Sequence, residues 1–380
     1  MSQLQNKGLD GQQVPLVAEI RSFLAEHWPD RRAGARRDAG AGFIRALSDR
    51  GWSVPDWPRE QGGQSWSAAQ RYLFDRELAL AGAPSPDSFA VNVLGPLLIA
   101  AGTVDQRDRL LPLIREGRLR CSAHTSVMPT PVGSAATPLR MTGDLNRPRL
   151  LSERVYTRGA RGADWLLARA EQQQSGPSPG AVLVLVPLRS ATVSPGLPLD
   201  PDHVEVTGVI PEVIGDSASL PVLAELLNRA EQVRRARVPR LTGWLDDLVG
   251  LIDPHSLDGE GDGAGDAALR RQVDELRIDL LGLDALEQRV MTAVLPGDDQ
   301  SARESMVRLR CAELARAVAE LAINSLGYYA LPAVDPLLHD NELPPGRGSG
   351  QGAIEELFRY VGGLEVMTDR DGIVATILEN

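Results

Sequence analysis

Apolar residues recur at steps of three and four from about Val14 to Arg118, lose that spacing, and regain it after Leu220. A period near 3.6 puts such residues on one face of a helix, so both ends of the chain must bury helical faces. Between Cys121 and about Asp216 the runs "ADWLLARA", "GAVLVLVPL" and "DHVEVTGVIPE" are short, β-branched or apolar, and bounded by Gly, Pro and Ser, which is a strand pattern. The order helical, β, helical predicts an α+β fold. It has an N-terminal helical domain over 1–120, a middle β-domain over 121–218 and a C-terminal four-helix bundle over 219–380.

Local signals refine this outline. Ser67 and Thr103 stand where helix N-caps belong, with Gly82 and Gly102 near C-termini, because a hydroxyl can accept an unpaired first-turn N–H and glycine tolerates the end of a helix. Leu269, Val273, Leu276, Leu280 and Leu283 form one stripe, and Val307, Cys311, Leu314, Val318 and Leu321 form another. These are bundle helices, with a face available to another subunit. "WPREQGGQSW", 57 to 66, packs two tryptophans, a proline and a Gly-Gly pair between helical runs, a shaped turn with aromatic anchors. "DPHSLDGEGDGAGD", 253 to 266, is an acidic Gly-rich linker whose spacing misses the calcium hand-loop, and "ELPPGRGSGQG", 342 to 352, is a second flexible stretch before a last helix.

The charge balance limits partners. A net charge of −11 opposes any sequence-independent grip on phosphate backbones, so nucleic acid is not expected. Cys121 and Cys311 are far apart and in no metal-like spacing, which favours a reduced cytoplasmic setting and no metal site. The first fifteen residues hold no apolar leader core, and no later run approaches the ~18 apolar residues of a membrane span.

The segment "GWSVPDWPREQGGQSWSAAQRYLFDRELALAGAP" and the segment "LLIAAGTVDQRDRLLPLIREGRLRCSA" resemble the two N-terminal signatures of the acyl-CoA dehydrogenases. The layout of the whole chain is similar to theirs. The resemblance implies FAD, an acyl-CoA thioester substrate, and a tetramer in which each flavin is completed by a neighbouring subunit. Dehydrogenation of such a thioester needs a carboxylate to take the α-proton while the β-hydrogen leaves as hydride to the flavin.

The family places that carboxylate in one of two spots. The C-terminal spot reads "FRYVGGLEVMTDRDG", so the base position falls on Gly362, with Leu364 where a turn hydroxyl would stand; Glu365 lies beyond it and reads as a surface carboxylate. At the early-helix spot, in "LAELLNRAEQVRRARVPRLTGWLDDLVGL", the base position falls on Arg229 or Ala230. Glu231 is one or two residues off, pointing away unless the register slips, and is the one candidate catalytic residue; otherwise it is a surface partner for Arg234 or Arg235.

The flavin motifs are eroded too. Where the family carries Thr-Glu-Pro-Gly, this chain has "TSVMPTPVGSAA" from Thr125; where it carries Trp-Ile-Thr, this chain has Val155, Tyr156 and Thr157. Thr125 and Thr157 are therefore the candidate FAD contacts, with ordinary strand threonines the competing reading. His124, without a partner carboxylate, reads as a structural histidine. No Ser-His-Asp set, P-loop or GxGxxG motif is present.

A kept framework around a reaction centre without its base resembles the degenerate partner in heterotetrameric acyl-CoA dehydrogenases that act on steroid side chains. Three readings follow from the residues. The chain is the non-base subunit of such a heteromer, paired with a related chain that supplies the base; it is an inactive binding or scaffold protein of the same fold; or it is an active homomer with Glu231 as base.

Overall fold

The computed structural model describes residues 13–29, 37–86, 88–124, 126–127, 138–142, 148–151, 153–157, 163–172, 181–188, 192–194, 202–206, 209–216, 218–231, 236–251, 264–292, 297–326 and 357. The helices are α1 (Gln13–His27), α2 (Arg37–Asp49), α3 (Ala68–Ala81), α4 (Gly95–Ala101), α5 (Val104–Arg115), α6 (Ser219–Glu231), α7 (Arg237–Leu251), α8 (Ala264–Thr292) and α9 (Gly297–Leu326). Among the described residues nine strands lie between α5 and α6: β1 (Cys121–Ala123), β2 (Leu139–Thr142), β3 (Arg149–Leu150), β4 (Glu153–Thr157), β5 (Trp165–Gln172), β6 (Ala181–Pro187), β7 (Thr192–Ser194), β8 (Asp202–Val206) and β9 (Glu212–Ile214). The α+β class expected from the alternation of periods is the one observed.

The chain packs as two compact units, each discontinuous in sequence: 1–40 with 67–85 and 234–380, and 41–66 with 86–233.

In the first unit, α1, α3, α7, α8 and α9 enclose one apolar core. The two long stripes behave as their spacing predicts. Val273, Leu280 and Leu283 of α8 are buried with Leu269 and Leu276 packed beside them, and all five stripe residues of α9 are buried. Ser67 and Gln70 form a reciprocal capping box at the start of α3, and Gly82 closes that helix at φ +63°. The acidic Gly-rich stretch ends in helix: α8 begins at Ala264, while 253–263 lies outside the described residues. So does the 342–352 stretch, and of the segment expected to form the last helix only Leu357 is described, helical and buried.

In the second unit a sheet of order β3-β2-β5-β6-β9, with β1 alongside β5, packs against helices; β4, β8 and β7 form a separate antiparallel sheet. The run "AVLVLVP" of β6 is buried on both faces because the strand period is two. Leu183 and Leu185 join the core shared with α4, α5 and α6, whereas Val182, Val184 and Val186 join a second core with Leu166, Ala168 and Ala170 of β5. Thr103 and Gln106 cap α5 reciprocally, and the same Gln106 amide donates to the Val213 carbonyl at 2.9 Å, tying the helix start to β9.

The Trp-Pro turn is built as expected. Gly62 adopts φ +85°, and a Cβ on Gly63 would collide with the Trp57 and Val54 carbonyls. Trp57 is buried in the helical core and its indole donates to the Val91 carbonyl at 2.9 Å. Trp52 and Trp66 meet at a ring-centroid distance of 5.6 Å.

Candidate functional site

The residues proposed from sequence for the flavin lie in the second unit. Thr125 is outside the described residues, as are Gly362, Leu364 and Glu365 at the C-terminal base spot. Thr157 ends β4, its backbone opposite Asp202 of β8, with Val155 and Tyr156 on the same strand; the side chains there are not described. His124 is described and buried. It follows β1, its N–H donating to the Leu167 carbonyl of β5 at 2.8 Å. Its Nδ1 lies 2.7 Å from Ser126 Oγ and 3.2 Å from the Ser126 amide, whose N–H donates to it. Ser126 Oγ in turn accepts the Arg169 N–H at 3.0 Å. With Nδ1 an acceptor, the ring proton belongs on Nε2. Through these bonds His124 ties the end of β1 to β5.

That corner tests the implied cofactor. A flavin edge needs outward-facing donors, yet the polar groups described here bond one another. Arg169 Nε is buried without a hydrogen bond, but it is one N–H on a side chain whose tip reaches Glu171 at 3.3 Å. The described residues of this corner therefore do not fit an isoalloxazine by themselves. Cys121, next to the corner, is partly buried, and burial pushes its thiol up to about 12, which disfavours the reactive thiolate.

Glu231, the candidate base, is the last residue of α6, with Arg229 and Ala230 just before it; these side chains are not described. In the first unit, around the start of α7, lies a group of carboxylates that the sequence did not single out. The start of α7 follows Arg234, Arg235 and Ala236, none of which can cap a helix. Its first N–H groups have no partner inside the helix. Two carboxylates from other helices take them. Asp75 of α3 accepts from the Ala236 N–H at 2.8 Å. Glu287 of α8 accepts from Arg237 N–H at 2.9 Å and from Val238 N–H at 3.4 Å.

Around this pair the charges are matched. Asp75 also accepts from Arg240 at 3.2 Å. Both terminal guanidinium nitrogens of Arg76 bond Asp284, the Nη2–Oδ2 contact being 2.8 Å, and Glu77 takes Arg21 through two bonds of 2.8 and 2.9 Å. Burial works against the Arg76 charge, but the bond to Asp284 together with the charges of Tyr72, Asp284 and Glu287 outweighs it and raises that pKa. Tyr72 Oη lies 3.4 Å from Glu287 Oε2, and burial raises the phenol pKa well above its usual value. Glu287 is 0% exposed. Desolvation lifts its pKa from 4.5 to about 7, partly opposed by the Arg237 N–H. The signal for this residue was present: Glu287 stands four after Leu283 and three before Val290, at a core position of the α8 stripe. Among the described residues no cluster of His, Cys, Asp and Glu could hold a metal ion.

Likenesses to known proteins agree with this architecture. Residues 11–118 match the family described as acyl-CoA dehydrogenase, N-terminal domain. Acyl-CoA dehydrogenase FadE26 of Mycobacterium tuberculosis is 31% identical over 207 residues, 50% of this chain and 50% of its own length. Acyl-CoA dehydrogenase IpdE1 of the same organism is 34% identical over 207 residues, 50% of this chain and 52% of its own. The matched region thus spans about half the length of these curated relatives.

In fold the likeness covers nearly everything. A chain of the ChsE4-ChsE5 complex from Mycobacterium tuberculosis superposes with a TM-score of 0.65 at 22% identity, over 97% of this chain and 96% of that one. A chain of the steroid acyl-CoA dehydrogenase Tcur3481-Tcur3483 gives 0.65 at 20% identity, over 98% of each. The fold so defined is that of the acyl-CoA dehydrogenases. The chain resembles them in sequence over residues 11–118 and about half of its length, and in fold over nearly all of it.

Proposed function

We propose that this chain is the non-base subunit of a heteromeric, FAD-dependent acyl-CoA dehydrogenase in the cytoplasm. The substrate class is an acyl-CoA thioester carrying a steroid side chain, desaturated between its α and β carbons. One observation carries the reading: a framework like that of the acyl-CoA dehydrogenases holds a corner whose described polar groups are turned on one another. The two-chain composition of the similar ChsE4-ChsE5 complex supports it. A site shared between subunits needs one complete set of groups per pair, so one chain can lose its set and still provide packing area. Loss of a positioned base commonly removes ~10²- to 10⁴-fold of rate, so the chain alone is expected to be nearly inactive.

Co-expression with a related chain, followed by flavin absorbance and thioester desaturation, tests this. Flavin and turnover only in the mixed complex are expected. A colourless protein in every pairing favours a binding or scaffold role. Flavin and turnover in the isolated chain would overturn the proposal.

A further inference from the structure

Glu287 is a buried carboxyl group that, among the described residues, makes no salt bridge. Among the described residues no Lys or Arg nitrogen pairs with it, since Arg76 is committed to Asp284. The charged and titratable groups around it are Tyr72 and Arg76 from α3, Arg237 from α7, Asp284 on its own helix, and Cys311 from α9, whose thiol burial raises first and the nearby Glu287 charge raises further. An ionised carboxylate here would exchange its water for two backbone N–H groups and one hydroxyl, which is too little for a charge removed from solvent.

The neutral acid is better served. Its Oε1 accepts from the Arg237 N–H at 2.9 Å, and its Oε2 hydroxyl can bond Tyr72 Oη at 3.4 Å, since a phenol both donates and accepts. The turn it holds has no cap of its own.

We infer that Glu287 clasps the first turn of α7 as a protonated acid, and that loss of this proton releases the clasp and opens the turn to water. This is a pH-sensitive device of the fold, independent of the functional reading above. The opened state lets the carboxylate hydrate, so ionisation drives opening. Its release falls in the range around neutrality to which burial moves the group, about 7.

Hydrogen exchange of the full chain, followed by mass spectrometry on peptides spanning residues 236–241, tests it at pH 5 and pH 8 after correction for intrinsic rates. The wild-type protection factor should fall by up to about a hundredfold between the two. Glu287→Gln, which mimics the protonated acid, should stay protected at both. An equal fall in the variant, or steady or rising protection in the wild type, would overturn the inference. Should that variant not fold, Tyr72→Phe removes the acid's hydrogen-bond partner. Its protection at pH 5 should drop toward the wild-type value at pH 8, and protection equal to wild type at pH 5 would count against the clasp.

Discussion

The indole of Trp57 occupies the place where a side chain on Gly95 would begin: an added Cβ would overlap its six-membered ring, while its N–H donates to the Val91 carbonyl at 2.9 Å. The Trp-Pro turn is thereby pinned to the start of α4 inside one core.

Gly95 has a helical backbone, φ −60°, so Gly95→Ala tests space alone. The collision should destabilise the protein by about 1–3 kcal/mol. Trp57→Phe keeps most of the apolar area but leaves the Val91 carbonyl unpaired, at a cost of about 1–3 kcal/mol. Chemical denaturation midpoints measure both; unchanged midpoints would show that the pin is not tight.

Asp284→Asn leaves Arg76, whose side chain is 6% exposed, without its charge partner. Removing one member of a buried pair is worse than replacing both. A loss of about 2–4 kcal/mol is expected, with the double variant Arg76→Met/Asp284→Leu recovering much of it in the same unfolding assay.

The Glu287 carboxyl also makes global stability depend on pH. Its folded value, about 7, lies above the unfolded 4.5, so between these values the folded chain holds a proton that the unfolded chain has lost. The contribution is fully present below about pH 4.5 and is lost as pH rises through about 7. Relative to Glu287→Gln, wild-type unfolding free energy should decline across that window. Parallel curves from pH 5 to 8 would contradict this.

Ser67→Ala and Thr103→Ala each remove the acceptor of a capping box, at Gln70 N–H and Gln106 N–H. Each should cost about 1 kcal/mol, read as a lowered thermal midpoint. Thr103→Ala is expected to cost more than its peptide value, because Gln106 also bonds Val213.

In a reconstituted mixed complex, Glu231→Gln should leave turnover unchanged, since the base belongs to the partner chain in the proposed reading. A loss of 10²-fold or more would instead assign the base to Glu231.

Much of the framework was legible because its cause is local. Leu280 and Leu283 announce a helix face by spacing, Ser67 and Thr103 announce helix starts by chemistry three residues wide, and the two glycines after Gln61 announce a turn that only they can make. Glu287 was not recognised, although its place in the stripe was visible, because its meaning depends on partners at 72, 237 and 238. A carboxylate in an apolar stripe reads as an exposed edge until the helix it caps is known.

The amino-acid sequence alone determined the α+β class, the helix and strand periods and the capped ends, since each is written in neighbours within a turn or two. Tertiary structure alone decided that the start of α7 would be capped by Asp75 and Glu287 from other helices, and that Ser126 would be spent on His124 and Arg169. Both outcomes turn on which polar groups are brought together when water is excluded, and no short stretch of chain carries that information.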